Sequence, residues 1–187
     1  MQGHGDCRIS GVQLILEAAQ FAAHKHRDQR RKDAKATPYI NHPLAVANAL
    51  SEEGSVRDPE ILVAALLHDT IEDTETTYAE LRGRFGERIA DIVAEVTDTK
   101  FLSKPVRKRL QLATAGRAST AAQQVKLADK ICNLRDILAR PPADWSPKRK
   151  REYCEWAKAV VDQLRGANRR LARKFDAVFE AGMARAT

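Results

Sequence analysis

The 187-residue chain has only three cysteines, Cys7, Cys132 and Cys154, too few and too scattered for a disulfide framework or a CxxC metal knuckle. They are expected as buried thiols in a reducing, cytoplasmic compartment. No run approaches the ~20 apolar residues of a membrane span. The N-terminal MQGHGDCRIS lacks the basic-then-apolar order of a signal peptide. Glycine and proline are modest, alternating β-branched runs are scarce, and neither an internal repeat nor a low-complexity tract occurs. With 43% apolar and 30% charged residues, the composition excludes a disordered chain. What remains is a soluble all-α protein, long enough to bury a proper core. Residues 1–10 read as a flexible leader, 11–182 as one compact domain of about eight to ten helices, and 183–187 as a tail. The formal charge of +7 attracts nucleic acid, acidic membranes and small phosphorylated ligands alike. No nucleic-acid-binding motif appears, so neither nucleic acid nor a membrane is expected as a partner.

Helical spacing of Val12, Ile15, Leu16, Ala19, Ala22 and Ala23 predicts a first helix to about Gln29. A basic run over 24–33 follows, then the stiff connector Thr37-Pro38-Tyr39-Ile40-Asn41-His42-Pro43. Asn41 is the expected cap of the second helix, with Pro43 in its first turn, and Gly54 closes it. Asp58-Pro59 opens an apolar helix that runs into HDTIEDT at 68–74. Thr77 and Glu80 form a capping box, and Ile89, Ile92, Val93 and Val96 mark a further helix. The stretch 98–120 is less orderly, with a basic concentration around a helix near 106–113. Beyond it, Val125, Leu127, Ala128, Ile131, Leu134, Ile137 and Leu138 form a wide apolar stripe. Ser146-Pro147 caps a long helix bearing Tyr153 and Trp156, read as core, with the Tyr153 hydroxyl free to reach a pocket. Leu171, Phe175, Val178 and Phe179 give the last helix its packing face.

Charge buried in apolar surroundings needs a partner or a metal. His68 and Asp69 end an apolar run, and Asp129 lies inside the apolar stripe. Lys126, Lys130 or Arg135 is the ordinary partner for Asp129; a metal shared with His68 and Asp69 is the functional one. His42 projects from the Pro-bracketed turn and adds a second imidazole. Two imidazoles and two carboxylates suit Mn²⁺, Fe²⁺ or Zn²⁺ better than Mg²⁺. The absence of thiolates argues against a closed structural zinc site. Glu72 and Asp73 are then left to accept a proton from an activated water, and Asn133, one turn from Asp129, can orient a ligand.

The ordered set RRKDAKATPYINHP, AALLHDTIEDT, FGERIADIVAEVTDTK and VKLADKICNLRD resembles the RelA/SpoT-type HD-domain hydrolases, above all their stand-alone metazoan SpoT-like members. The likeness covers about Val12 to Phe179. It implies the all-α HD phosphohydrolase fold and one Mn²⁺ per chain, other divalent metals being possible, on His42, His68, Asp69 and Asp129. It implies catalytic roles for Glu72 and Asp73, and substrate contacts by Arg31, Lys32, Lys104, Asn133 and Tyr153. The implied reaction is removal of the 3′-pyrophosphate of (p)ppGpp, a guanosine alarmone, to give GDP or GTP. The alternative is an NADPH 2′-phosphatase or another HD-type nucleotide phosphohydrolase. Cys132 stands where relatives usually carry histidine or an aromatic residue, and His24 where they often carry arginine; neither change removes a ligand. With no synthetase or regulatory region following, the chain is expected to hydrolyse the alarmone rather than make it.

Overall fold

The computed structural model describes residues 10–142 and 144–185. Its helices are α1 (Gly11–Lys25), α2 (Asn41–Asn48), α3 (Pro59–Leu67), α4 (Thr70–Asp73), α5 (Tyr78–Phe85), α6 (Glu87–Val96), α7 (Lys104–Thr114), α8 (Thr120–Ala139), α9 (Pro147–Val161) and α10 (Arg169–Arg185). The fold is all-α, and among the described residues the only β pairing is an isolated bridge between Arg30 and Pro38. The first nine residues of the expected leader, with His4 and Cys7, lie outside the described residues, whereas Ser10 caps α1. Helix α10 continues through Arg185 into the stretch read as a tail.

Helix α3 is the centre. Ile61 and the run from Val63 to Leu67 are buried, because a helix that is apolar on nearly every side has to be enclosed on every side. α1, α2, α6 and α8 supply that enclosure. Asp58 starts α3 by accepting the Glu60 N–H at 3.0 Å, as its Asp-Pro signature predicts. Helix α8, ~30 Å long at ~1.5 Å per residue, crosses the centre and packs on α2, α6, α9 and α10. Cys132 and Cys154 are both buried free thiols.

Local departures from the sequence reading have local causes. α1 stops at Lys25, where the chain enters turns leading into the basic hairpin. Asn41 does not cap α2: Ile40 occupies the cap position, and the Asn41 and His42 amides donate back to Pro38 and Tyr39 carbonyls at 3.2 and 2.9 Å. The end of that helix widens into a π-turn at Ala49–Glu53, closed by Gly54. A Cβ on Gly54 would lie 2.7 Å from the Leu50 carbonyl and 3.1 Å from Leu171, so glycine is what lets α10 approach.

Phe175 locks α10 down. It is 0% exposed and stacks on Phe179 with centroids 6.2 Å apart. Phe175→Ala is expected to cost about 3–5 kcal/mol through lost burial and a residual cavity. Urea denaturation checks this; a loss under about 1 kcal/mol would mean α10 contributes little to the core.

Candidate active site

The end of α3 sets the geometry. His68 follows its last residue, and the His68 Nδ1–H donates to the Ala65 carbonyl at 2.8 Å, which aims Nε2 away from the helix. Nε2 lies 3.1 Å from Asp69 Oδ2 and 3.8 Å from Asp129 Oδ1. From α2, His42 Nε2 lies 3.1 Å from Asp129 Oδ1 and 3.8 Å from Asp69 Oδ2. Donor atoms of His42, His68 and Asp69 fall within 4.8 Å of one another, and Asp129 Oδ1 stands beside both imidazoles at the edge of that group. Each carboxylate is itself held: the Tyr39 hydroxyl donates to Asp69 at 2.6 Å, and Asn133 Nδ2 to Asp129 at 2.5 Å. Lys130 pairs with the other Asp129 oxygen at 3.0 Å, so the ordinary partner and the metal-ligand geometry coexist.

These residues fit a divalent cation. His68 Nε2 is buried without a hydrogen-bond partner, although two carboxylates stand beside it. A nitrogen whose tautomer is fixed from behind and whose lone pair meets only anions suits a metal ion. Burial opposes charge on His68, yet Asp69 and Asp129 outweigh it and push the imidazole up to about 9. Burial likewise opposes ionisation of the acids; His68 nevertheless holds Asp69 below the ordinary carboxylate value, and Lys130 and His42 do so for Asp129.

Glu72 and Asp73 lie on the single turn α4, and their surroundings differ. Glu72 accepts from Arg107 Nη1 at 2.6 Å and from the Asp98 amide at 3.2 Å. Burial and the Asp98 carboxylate push its carboxyl up, while the close guanidinium favours the charged form. Asp73 is gripped through its backbone, its carbonyl accepting from Gln29 Nε2 at 2.8 Å. Burial, then the Asp69 charge, raises its carboxyl above the ordinary 3.8.

Two cavities meet here. The outer one, about 640 Å³, is lined by Arg31, Lys32, Arg135, Trp145 and Tyr153 among others, a size and composition suited to a charged small molecule. The inner one, about 190 Å³, contains the donor cluster with Glu72, Asp98, Gln111, Lys126 and Lys130. Tyr39, His42, Asp73 and Asn133 line both. The basic hairpin is tied across by hydrogen bonds: the Arg31 amide donates to the Thr37 carbonyl at 2.8 Å and the Thr37 hydroxyl to Asp33 at 2.5 Å. Arg31 reaches Asp136 at 2.7 Å and Asn133 at 3.2 Å. Lys104 lines neither cavity; it stands 5.8 Å above the Trp145 ring. Sequence reasoning gave no site role to Gln29, Asp98, Arg107, Gln111, Lys126 or Trp145. Of these only Lys126 carried a signal, as a charge within the apolar stripe of α8.

The HD domain family model matches residues 18–169. Guanosine-3′,5′-bis(diphosphate) 3′-pyrophosphohydrolase MESH1 of Xenopus tropicalis is 55% identical over 170 residues, covering 91% of this chain and 95% of that protein. Its human namesake is 52% identical over 166 residues, covering 89% and 93%. A solved structure described as a metazoan ortholog of SpoT that hydrolyzes ppGpp superposes with a TM-score of 0.87 at 43% identity, covering 96% of this chain and 98% of that one.

Proposed function

We infer the activity from membership: this chain belongs to the HD domain family, and it hydrolyses the 3′-pyrophosphate of (p)ppGpp. The observation that carries the reading is the donor cluster inside a small acidic cavity that adjoins a basic, nucleotide-sized one, with His42 lining both. His42, His68, Asp69 and Asp129 would hold one Mn²⁺, which would supply Lewis-acid polarisation of a phosphoryl oxygen and a more acidic water. Arg31 and Lys32 take substrate phosphates at the mouth, and Tyr153 and Asn133 hold the nucleoside side of the ligand. Asp73, common to both cavities, accepts the proton as water attacks the phosphorus bonded to O3′. The O3′–P bond breaks, O3′ takes up a proton, and pyrophosphate leaves carrying the water oxygen. Glu72, tied to Arg107, positions the turn on which Asp73 sits.

Metal-stripped protein reconstituted with Mn²⁺ is expected to release pyrophosphate from ppGpp, with no turnover before metal is restored. Pyrophosphate is read directly by an enzyme-coupled assay. Metal-loaded protein that leaves ppGpp intact would overturn the assignment.

A further inference from the structure

His26 is buried behind the active site and lines neither cavity. It closes α1, its amide donating to the Ala22 carbonyl at 2.9 Å, and it is 2% exposed. Its Nδ1 meets Gln29 Oε1, and its Nε2 has no hydrogen-bond partner among the described residues. Gln29 fixes the tautomer. Its Nε2 donates to the Asp73 carbonyl at 2.8 Å, so its Oε1 is the end that faces His26, and that oxygen can only accept. The proton is therefore on Nδ1. One hydrogen bond and the packing of the ring are what hold this side chain, and both lead toward the site.

Along the first line, Gln29 holds α4 by its last carbonyl. A helix of one turn is not stable by itself, and the carbonyls at its end lack partners within it. α4 is such a helix, and Gln29 supplies the missing donor to Asp73. Along the second, the His26 ring packs on Tyr39 with centroids 5.0 Å apart, and the Tyr39 hydroxyl donates to Asp69 at 2.6 Å. The backbone joins the two lines: the Gln29 amide donates to the His26 carbonyl at 3.0 Å, and the Tyr39 amide to the Gln29 carbonyl at 3.1 Å. Asp69 and Asp73 stand at the two ends of α4, the Asp73 amide donating to the Asp69 carbonyl at 2.9 Å. One buried side chain thus bears on the metal ligand and on the proton acceptor at once. Burial, then the Asp69 charge, raises the Asp73 carboxyl, while the Tyr39 hydroxyl and His26 act on it in the opposite sense.

We propose that His26 is a positioning residue, which sets the Asp73 carboxylate against the ligand Asp69 through Gln29 and Tyr39. This rests on the roles given above to Asp69 and Asp73. A general base has to stand within hydrogen-bond reach of the water it deprotonates, and a displacement of about 1 Å costs on the order of 10²-fold in rate.

Two substitutions separate the two lines. His26→Phe keeps a ring against Tyr39 and removes the donor to Gln29, whereas His26→Asn keeps an N–H donor near the Nδ1 position and removes the ring. In the full chain without metal, His26→Phe is expected to speed hydrogen exchange of the Asp73 and Thr74 amides about tenfold or more, with the α8 amides protected as in wild type. Its kcat on ppGpp with Mn²⁺ should fall about 10–100-fold at unchanged KM and Mn²⁺ affinity. His26→Asn is expected to keep the α4 amides protected and to bind Mn²⁺ about tenfold more weakly, the usual loss when the support of a ligating carboxylate is loosened. Saturating Mn²⁺ should restore its kcat. Wild-type α4 exchange and wild-type Mn²⁺ affinity in both variants would overturn the proposal. So would faster exchange spread through α8, or the same losses in both variants, either of which makes His26 a core histidine and nothing more. Wild-type protein that binds Mn²⁺ but leaves ppGpp intact would remove the reaction assignment, while α4 exchange and Mn²⁺ affinity in the two variants would still decide the positioning role.

Discussion

Asp69→Ala is expected to lower turnover of ppGpp by about 10³-fold or more, since a metal's contribution is several kcal/mol and each 1.36 kcal/mol is tenfold. The bound metal should be lost with it. Asp69 is the donor that also aligns the cluster, with His68 Nε2 at 3.1 Å and the Tyr39 hydroxyl at 2.6 Å on the same oxygen. Its removal deletes one ligand and releases two groups from their orientation. Metal content by mass spectrometry and steady-state kinetics check both halves. A variant that keeps its metal and its rate would place the donor cluster outside the chemistry. The metal-free protein gives a second signature. His68 is pushed up from 6.5 to about 9, so the stability it contributes is complete below pH 6.5 and is lost as pH rises through about 9. Asp69, held below 3.8, contributes above that value and loses its contribution only in strong acid. Metal-free wild type should therefore lose stability between pH 6.5 and about 9, and Asp69→Ala, lacking the main source of the His68 shift, should lose less across that window.

The donor residues were legible in the sequence because each broke a local rule. His68 and Asp69 end the most apolar helix, Asp129 interrupts an apolar stripe, and His42 sits between prolines. The structure brings these four side by side from α2, the end of α3, and α8. Asn133 was legible for the same reason, since one helical turn from Asp129 is contact distance, here 2.5 Å. What stayed hidden were pairings between distant segments of ordinary surface composition. Arg107 belongs to a basic stretch with no apolar periodicity, and α7 in fact buries no residue. Nothing local marks Arg107 as the partner of Glu72, and only the tertiary fold joins α7 to α4. Lys126, Lys130 and Arg135 were all legible as candidate counter-ions of Asp129, and only the tertiary structure gives that role to Lys130. The π-turn at Ala49–Glu53 has no sequence signature, and the Gly54 that closes it lies against Leu171 from the far end of the chain.

Asp73→Asn is expected to reduce kcat by about 10²–10⁴-fold, the usual range for a lost general base, with metal content unchanged. The amide has nearly the shape of the acid, and the Gln29 bond to the Asp73 carbonyl does not involve the side chain, so α4 keeps its place. What is lost is the ability to take a proton at the one acidic side chain common to both cavities. Burial and Asp69 raise the Asp73 carboxyl above 3.8, which strengthens it as a base. The wild-type rate should fall on the acid side as Asp73 takes up its proton, and that limb should disappear in the variant. Glu72→Gln is the contrasting case. It breaks the 2.6 Å ion pair with Arg107, whose Nε already lacks a partner, and frees α7 from the turn it anchors. Its effect should fall on KM as well as kcat, since α7 carries Lys104 and Lys108 beside Trp145 and Trp156. Side-by-side pH–rate profiles decide between the two carboxylates. If Glu72→Gln erases the acid limb while Asp73→Asn keeps it, the base is Glu72, and Arg107 is there to tune that base rather than to hold a helix.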